Sequence, residues 1–164
     1  RTGALIVIER TTKLGDIMKT GVQLDAVISQ SLIKNIFFNK AALHDGAMII
    51  RDNRIAAAGC FLPLTQNTQI SKDKGTRHRA GVGVSEVSDA VVIIVSEETG
   101  EISLAIGGSL LGGQNYTTLR QQLTQLLFGD TRRKGKKDRK EKKKRAAATA
   151  AAEGEVQDSG TDKQ

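Results

Sequence analysis

Residues 4–8, Ala-Leu-Ile-Val-Ile, form an unbroken apolar run of largely β-branched residues, the pattern of a strand covered on both faces. Residues 90–95, Ala-Val-Val-Ile-Ile-Val, repeat it more strongly and predict the most deeply buried strand. Residues 14–19 suit a short helix stopped near Thr20-Gly21, and Val22, Leu24 and Ala26 alternate with polar residues as a half-buried strand does. Ser29 or Ser31 can cap a helix whose apolar face is Leu32, Ile33, Ile36 and Phe37. Residues 47–51 and 54–62 then read as a hairpin closed by Asp52-Asn53, and Pro63 ends it. Residues 64–76 are polar and aperiodic, a surface loop. A helix is expected from Thr76 to about Val87, and residues 102–106 should return against 90–95 after a turn at Glu98-Thr99-Gly100. Gly107-Gly108 and Gly112-Gly113 bracket what reads as a flexible link. A last amphipathic helix should carry Tyr116, Leu119, Leu123, Leu126 and Leu127 on one face. There is no internal repeat.

Strands and helices in this succession predict an α/β fold, a twisted mixed β-sheet flanked by helices in a single catalytic-sized domain over residues 1–130. Charge changes the picture only beyond that point. The formal net charge is +7, but residues 1–130 carry 13 Lys/Arg against 12 Asp/Glu, and residues 131–164 carry 12 against 6. The basicity belongs to a tail of Lys/Arg, then alanine, then acidic residues, which is expected to be disordered. The domain itself is nearly neutral, which argues against a broad phosphate-tracking surface for nucleic acid. The single cysteine, Cys60, sits in an apolar run and reads as a buried, inert thiol in a reducing compartment. No run of about 18 apolar residues is present to span a membrane, and no signal peptide is visible. Because the chain enters a strand almost at Arg1, its natural N-terminus is expected upstream.

Two polar clusters carry the chemistry. His44-Asp45-Gly46 leads into a strand, where a metal ligand or proton acceptor, or simply a turn with a local Asp hydrogen bond, would fit. Gly75-Thr76-Arg77-His78-Arg79 puts two guanidinium groups, an imidazole and a hydroxyl at a helix start, a place that favours anions; its plain alternative is a solvated basic turn. Glu97 and Glu98 end a strand, either facing solvent or offering hard oxygen ligands to a phosphate-bound metal. No GxxxxGK[ST] and no dinucleotide fingerprint occurs, so a nucleotide would be bound by another device. Residue chemistry alone thus describes a phosphate-binding α/β domain, metal-dependent or not.

Taken together, Leu43-His44 with Asp45-Gly46-Ala47, and Gly75-Thr76-Arg77-His78-Arg79 about 30 residues later, resemble the two signature motifs of the diadenylate cyclases. Residues 1–9, Gly83-Val84-Ser85-Glu86 and Val95-Ser96-Glu97-Glu98-Thr99-Gly100 extend the resemblance over residues 1–128, and its membrane-anchored branch is the most similar. One departure is Gly81, where alanine is expected; glycine there should weaken the helix by about 1 kcal/mol. The resemblance implies condensation of two ATP into cyclic di-AMP with release of two pyrophosphates. It implies Asp45 at the 3′-hydroxyl as metal ligand or proton acceptor, and His44, Asp45 and Glu98 as ligands of a divalent cation (Mn²⁺, Mg²⁺ or Co²⁺). Thr76, Arg77 and Arg79 would hold the triphosphate, and His78 would orient the loop or the phosphates. Gly46 and Ala47 would let the nucleotide lie close, Ser96 would join the ATP site, and Phe61 and Leu62 would face adenine. As bare sequence, Phe61 and Leu62 read as core.

Because one such site holds one ATP and the product joins two, the resemblance also implies a face-to-face homodimer. It further implies anchoring by upstream helices at the cytoplasmic face of the cell membrane, with this chain itself soluble, and no specific nucleic acid partner. The alternatives are a non-catalytic nucleotide sensor on the same fold, and a nucleic-acid-binding module driven by the basic run 132–145. The intact Asp45 and Arg77-His78-Arg79 speak against the sensor. The absence of aromatics within the basic run, and its place outside the domain, speak against the module.

Overall fold

The computed structural model describes residues 1–68, 70–71 and 74–129. It divides into two compact units, Arg1–Leu119 and Arg120–Gln164. The expected tail, 131–164, lies outside the described residues.

The first unit is a seven-stranded mixed sheet. Its strands are β1 (Ala4–Ile8), β2 (Val22–Val27), β3 (Ala47–Arg51), β4 (Arg54–Cys60), β5 (Val91–Val95), β6 (Ile102–Ile106) and β7 (Ser109–Gln114), in spatial order β2-β4-β3-β1-β5-β6-β7. Only β1 and β3 run parallel; all other neighbours are antiparallel. Three helices belong to it: α1 (Gly15–Met18), α2 (Gln30–Ile36) and α3 (Thr76–Glu86). A fourth, α4, covers residues 116–129 and carries the chain into the second unit; Leu119, Leu123, Leu126 and Leu127 are half-buried on it, while Tyr116 is exposed.

Alternation along the strands explains the unbroken apolar runs. Leu5 and Val7 of β1, Ala47 and Ile49 of β3, and Val92 and Ile94 of β5 pack with α1 and α3 in one core. Ala4, Met48, Ile55 and Ala58 pack with Ile36 and Phe37 from α2 and its end in another. The central strands are covered on both faces, so neither parity tolerates a polar residue. Ser29, rather than Ser31, caps α2: its Oγ accepts the Leu32 N–H at 3.2 Å. The β3–β4 hairpin turns on Asp52 and Asn53, both in the left-handed region (φ 49° and 59°), as a two-residue loop of this type requires.

α3 is unlike a surface helix. His78 and residues 80–85 are all buried, because the helix is enclosed between the sheet and the segment leaving β4. A Cβ on Gly83 would stand 2.1 Å from the Pro63 carbonyl oxygen, and the Thr65 N–H donates to the Arg79 carbonyl at 3.1 Å. Thr65 is therefore buried, and the stretch expected as surface loop from 64 onward begins as packed chain. Gly81 also has a reason: a Cβ there would lie 2.8 Å from Cδ1 of Ile94, which occupies the space an alanine would need.

Three expectations are corrected. Strand β4 ends at Cys60, two residues short of Leu62, and Phe61 is exposed rather than core. The glycine-bracketed segment is not a flexible link. Gly107-Gly108 turn the chain at φ 54° and 78°, and Ser109–Gln114 pair with β6 as one of the sheet's two outer strands. An outer strand needs only one neighbour's hydrogen bonds, so exposed and glycine-rich residues suffice to build it.

Candidate active site

One edge of the sheet gathers the starts of β1 and β3 and the ends of β4 and β5, as the partner pairs Ala4↔Val95 and Ala47↔Cys60 show. The N-terminus of α3 lies at the same edge. Together they enclose a cleft of about 690 Å³, a size suited to a nucleotide-scale ligand. Asp45, Gly46, Phe61, Leu62, Thr76, Arg77, His78, Ser96, Glu97 and Glu98 are among its lining residues. Two motifs 30 residues apart thus share one cavity.

Backbone shape makes the β3–β4 wall. Gly46 has φ +104°, and a Cβ there would meet the Cys60 carbonyl oxygen and the Gly59 carbonyl carbon at 2.8 Å. No other residue lets the chain pass so close over β4. Asp45 is thereby set at the mouth of β3. Beyond Cys60 the chain leaves the sheet, its Phe61 N–H donating to Thr20 Oγ1 at 2.9 Å, and Phe61 is left 66% exposed at the rim beside Leu64, 50% exposed. Cys60 is buried, and burial pushes its thiol up to about 11, so it stays protonated at neutral pH.

Charge makes the opposite part of the lining. α3 starts after Gly75, which has no side chain to cap the helix, and its first turn holds no acidic residue. Its leading N–H groups therefore point their partial positive charge at the cleft. Arg77 Nη1 donates to Glu97 Oε2 at 2.7 Å. His78 is 4% exposed and, among the described residues, its Nε2 has no partner. Burial, with the nearby Lys74 charge, lowers its pKa, so the ring is neutral at physiological pH. Ser96 holds the turn after β5, its Oγ accepting the Thr99 N–H at 3.2 Å, and Arg1 Nη1 donates to the Glu98 carbonyl oxygen at 2.6 Å.

Three of the residues expected at the site do not line the cleft. Ala47 is fully buried in β3. Arg79 is half-buried one turn along α3. His44 lies beside the cleft, its Nδ1 donating to the Ala41 carbonyl at 2.6 Å, which leaves Nε2 as a lone-pair donor. Among the described residues no three His, Cys, Asp or Glu side chains gather as a metal cage. Asp45 and Glu98 nonetheless supply hard carboxylate oxygens on one cleft, which suits a divalent cation held jointly with phosphate oxygens.

Sequence reasoning did not place Leu5, Leu64 and Gly3. The first two show no motif, and Gly3 matters only because Arg77 lies across it, a contact between residues 74 positions apart. From its local sequence Glu97 is a solvent-facing or metal-binding carboxylate, and nothing there names Arg77 as its partner.

The family model described as DisA bacterial checkpoint controller nucleotide-binding matches residues 1–110. Cyclic di-AMP synthase CdaA of Bacillus subtilis is 49% identical over 132 residues, 80% of this chain and 48% of that protein. A diadenylate cyclase of Listeria monocytogenes is 47% identical over 134 residues, 82% of this chain and 49% of its own length. This chain therefore spans about half the length of these relatives. The crystal structure of a double mutant of DacA from Staphylococcus aureus superposes with a TM-score of 0.76 at 49% identity, covering 77% of this chain and 85% of that one. A hypothetical membrane spanning protein from Bacillus cereus gives 0.66 at 44% identity, covering 69% and 55%. Among the described residues, no helix is long and apolar enough to cross a membrane.

Proposed function

Because the chain belongs to the family of DisA bacterial checkpoint controller nucleotide-binding domains, that of the diadenylate cyclases, we propose that it condenses two ATP into cyclic di-AMP and releases two pyrophosphates. The observation that carries this reading is a single cleft joining Asp45, the uncapped N-terminus of α3 with Thr76 and Arg77, and the apolar rim Phe61–Leu62.

Each part has a task. Phe61 and Leu62 receive the adenine, and the bare backbone at Gly46 lets the nucleotide lie against β3. The α3 N-terminus, Thr76 and Arg77 hold the phosphates, so that the α-phosphorus is presented with pyrophosphate as the departing group. Arg79 and the neutral His78 orient this turn, and Ser96 fixes the β5 turn beside it. Asp45 takes the proton of the attacking 3′-hydroxyl. A divalent metal would fit Asp45 and Glu98, with His44 Nε2 as a nitrogen donor from beside the cleft, and would neutralise phosphate charge when bound.

One cleft holds one nucleotide, whereas the product closes two 3′,5′ bonds. Two copies of the chain must therefore meet face to face, each presenting its nucleotide to the other. The membrane belongs to the same proposal: the B. cereus neighbour is described as membrane spanning, and a tethered domain at the cytoplasmic face would meet its partner readily. Incubation with ATP and Mn²⁺ should yield cyclic di-AMP and pyrophosphate, with specific activity rising with enzyme concentration where the dimer is sparse. Nucleotide binding without product would leave a sensor instead. Activity independent of concentration, with no more than dilution by excess Asp45→Asn chains, would overturn the two-copy mechanism.

A further inference from the structure

The proposed reaction leaves one contact unexplained. Arg77, assigned to phosphate, is already engaged by Glu97 at 2.7 Å. The pair has a seat of its own. A Cβ on Gly3 would stand 2.7 Å from Arg77 Nη1, 2.9 Å from its Cζ and 3.0 Å from Glu97 Cβ, so only bare backbone lets the guanidinium and the base of the Glu97 side chain lie against the head of β1. Three elements, the N-terminus of α3, the end of β5 and the start of β1, converge on this position. It is also one the cleft can reach, because Arg77 and Glu97 both line it.

The pair is open to exchange. Arg77 retains 25% side-chain exposure and Glu97 50%, and ion pairs so solvated hold weakly. A phosphate group offers more charge and two oxygens in the geometry that a guanidinium matches. From this we infer that Glu97 parks Arg77 against Gly3 and must give it up when a polyphosphate enters, so that Glu97 limits how tightly the site retains polyphosphate. The inference rests on the proposed phosphate role of Arg77 and deepens it. Glu97 acts through Arg77 and is a positioning residue rather than a catalytic one.

Two consequences follow from charge. The resting Arg77–Glu97 state lowers apparent polyphosphate affinity, because only the released guanidinium can bind. Once released, the Glu97 carboxylate stands near the bound phosphates and repels them. Both effects fall on pyrophosphate as much as on ATP. A site of helix N-terminus, arginine and metal would otherwise hold its leaving group strongly, and product release is a common limit on turnover.

The test is calorimetric titration of sodium pyrophosphate into the full chain, at fixed ionic strength and without added metal. Wild type, Glu97→Gln, Arg77→Gln and the double variant are compared, with melting temperatures as the check on folding. Glu97→Gln should bind pyrophosphate about three- to tenfold more tightly than wild type, the scale of a weak ion pair plus a nearby like charge. In the Arg77→Gln background the same substitution should give a clearly smaller gain, only the share that the like charge contributes. Gly3→Ala, which pushes Arg77 off its seat while keeping both charges, should also tighten binding. No gain in Glu97→Gln, including the case in which neither protein binds, overturns the inference. So does an equal gain with and without Arg77, which would make Glu97 a bare repulsive charge. Cyclic product from ATP is measured separately. Its absence alongside the expected gain would sink the cyclase reading and leave the Arg77–Glu97 exchange standing. Normal product with unchanged pyrophosphate affinity would sink the exchange alone.

Discussion

The two ends of the β1–β5 pair treat their carboxylates in opposite ways. At the far end, Glu9 follows β1 with its side chain 2% exposed; it accepts from Arg51 Nε and Nη2 at 2.8 and 2.6 Å, from the Leu14 N–H at 2.8 Å and from Lys13 Nζ at 3.2 Å. Asp89 precedes β5 and accepts the Thr11 and Thr12 N–H groups at 3.1 and 2.8 Å. At the cleft end, among the described residues, no hydrogen bond holds the carboxylates of Asp45 or Glu98, His78 Nε2 has no partner, and the one ion pair on the cleft is half in water. The same residue types are saturated where they build the fold and left open where a ligand is to complete them. Unmet polar capacity, rather than residue identity, separates the two ends.

This contrast can be broken most forcefully at Asp45. Asp45→Asn should cut cyclic di-AMP formation by at least about 10²-fold, the scale of one acid–base group, while leaving the melting temperature within a degree or so. Near-full turnover in that variant would remove Asp45 from the chemistry. The mirror experiment is Glu9→Gln. It leaves Arg51 without its counter-charge and should cost roughly 2 kcal/mol in denaturant unfolding, with nucleotide affinity in the folded protein unchanged. A stability within about 0.5 kcal/mol of wild type would show that the far end is no tighter than the cleft end.

A smaller effect is expected from acid. Burial works to raise the Asp89 carboxyl, but the Thr11 and Thr12 hydrogen bonds outweigh it and hold the group down at about 2, against an ordinary 3.8. A depressed carboxyl contributes stability above its unfolded value and loses it as pH falls through the folded one. About 1–2 kcal/mol, discounted for partial exposure, should therefore disappear between about pH 4 and pH 2. Asp89→Asn should lack this term in unfolding measured across that range. An unchanged acid profile would mean that the two N–H bonds do not anchor the turn.

The smallest effect lies between the ends, at Gly81. The helix propensity gained in Gly81→Ala, about 1 kcal/mol, is opposed by the need to move Ile94 Cδ1. The net change in melting temperature should be close to zero. Gly81→Ala combined with Ile94→Val should recover more than the single changes do separately.

What was legible in the sequence follows the same division. β1, β3 and β5 are covered on both faces, so their apolar runs announce them, and Asp52-Asn53 announces its hairpin through the backbone conformation those residues tolerate. β7 was missed because its residues are mostly exposed and its place is set by β6, a neighbour no local pattern names. Asp45, Gly46, Thr76, Arg77 and His78 were found through motif spacing and do converge on one cleft. Glu97 with Arg77, and Gly3 beneath them, are relations between distant segments. Local chemistry gave only the separate residues. Phe61 reads as core because an aromatic after an apolar run usually is; here the chain leaves the sheet at Cys60, and the ring stands at the rim.

Cys60 gives this molecule a clock. It is the chain's sole cysteine, so any reaction with a thiol reagent is reaction at one known point in the wall of the cleft. With the thiol pushed up to about 11, hardly any of it is thiolate at neutral pH, and because Cys60 is fully buried a reagent should reach it only when β4 and its neighbours part. The labelling rate therefore counts openings of the β3–β4 wall. A nucleotide seated against Gly46 should slow that count, in the same cuvette and without any introduced probe.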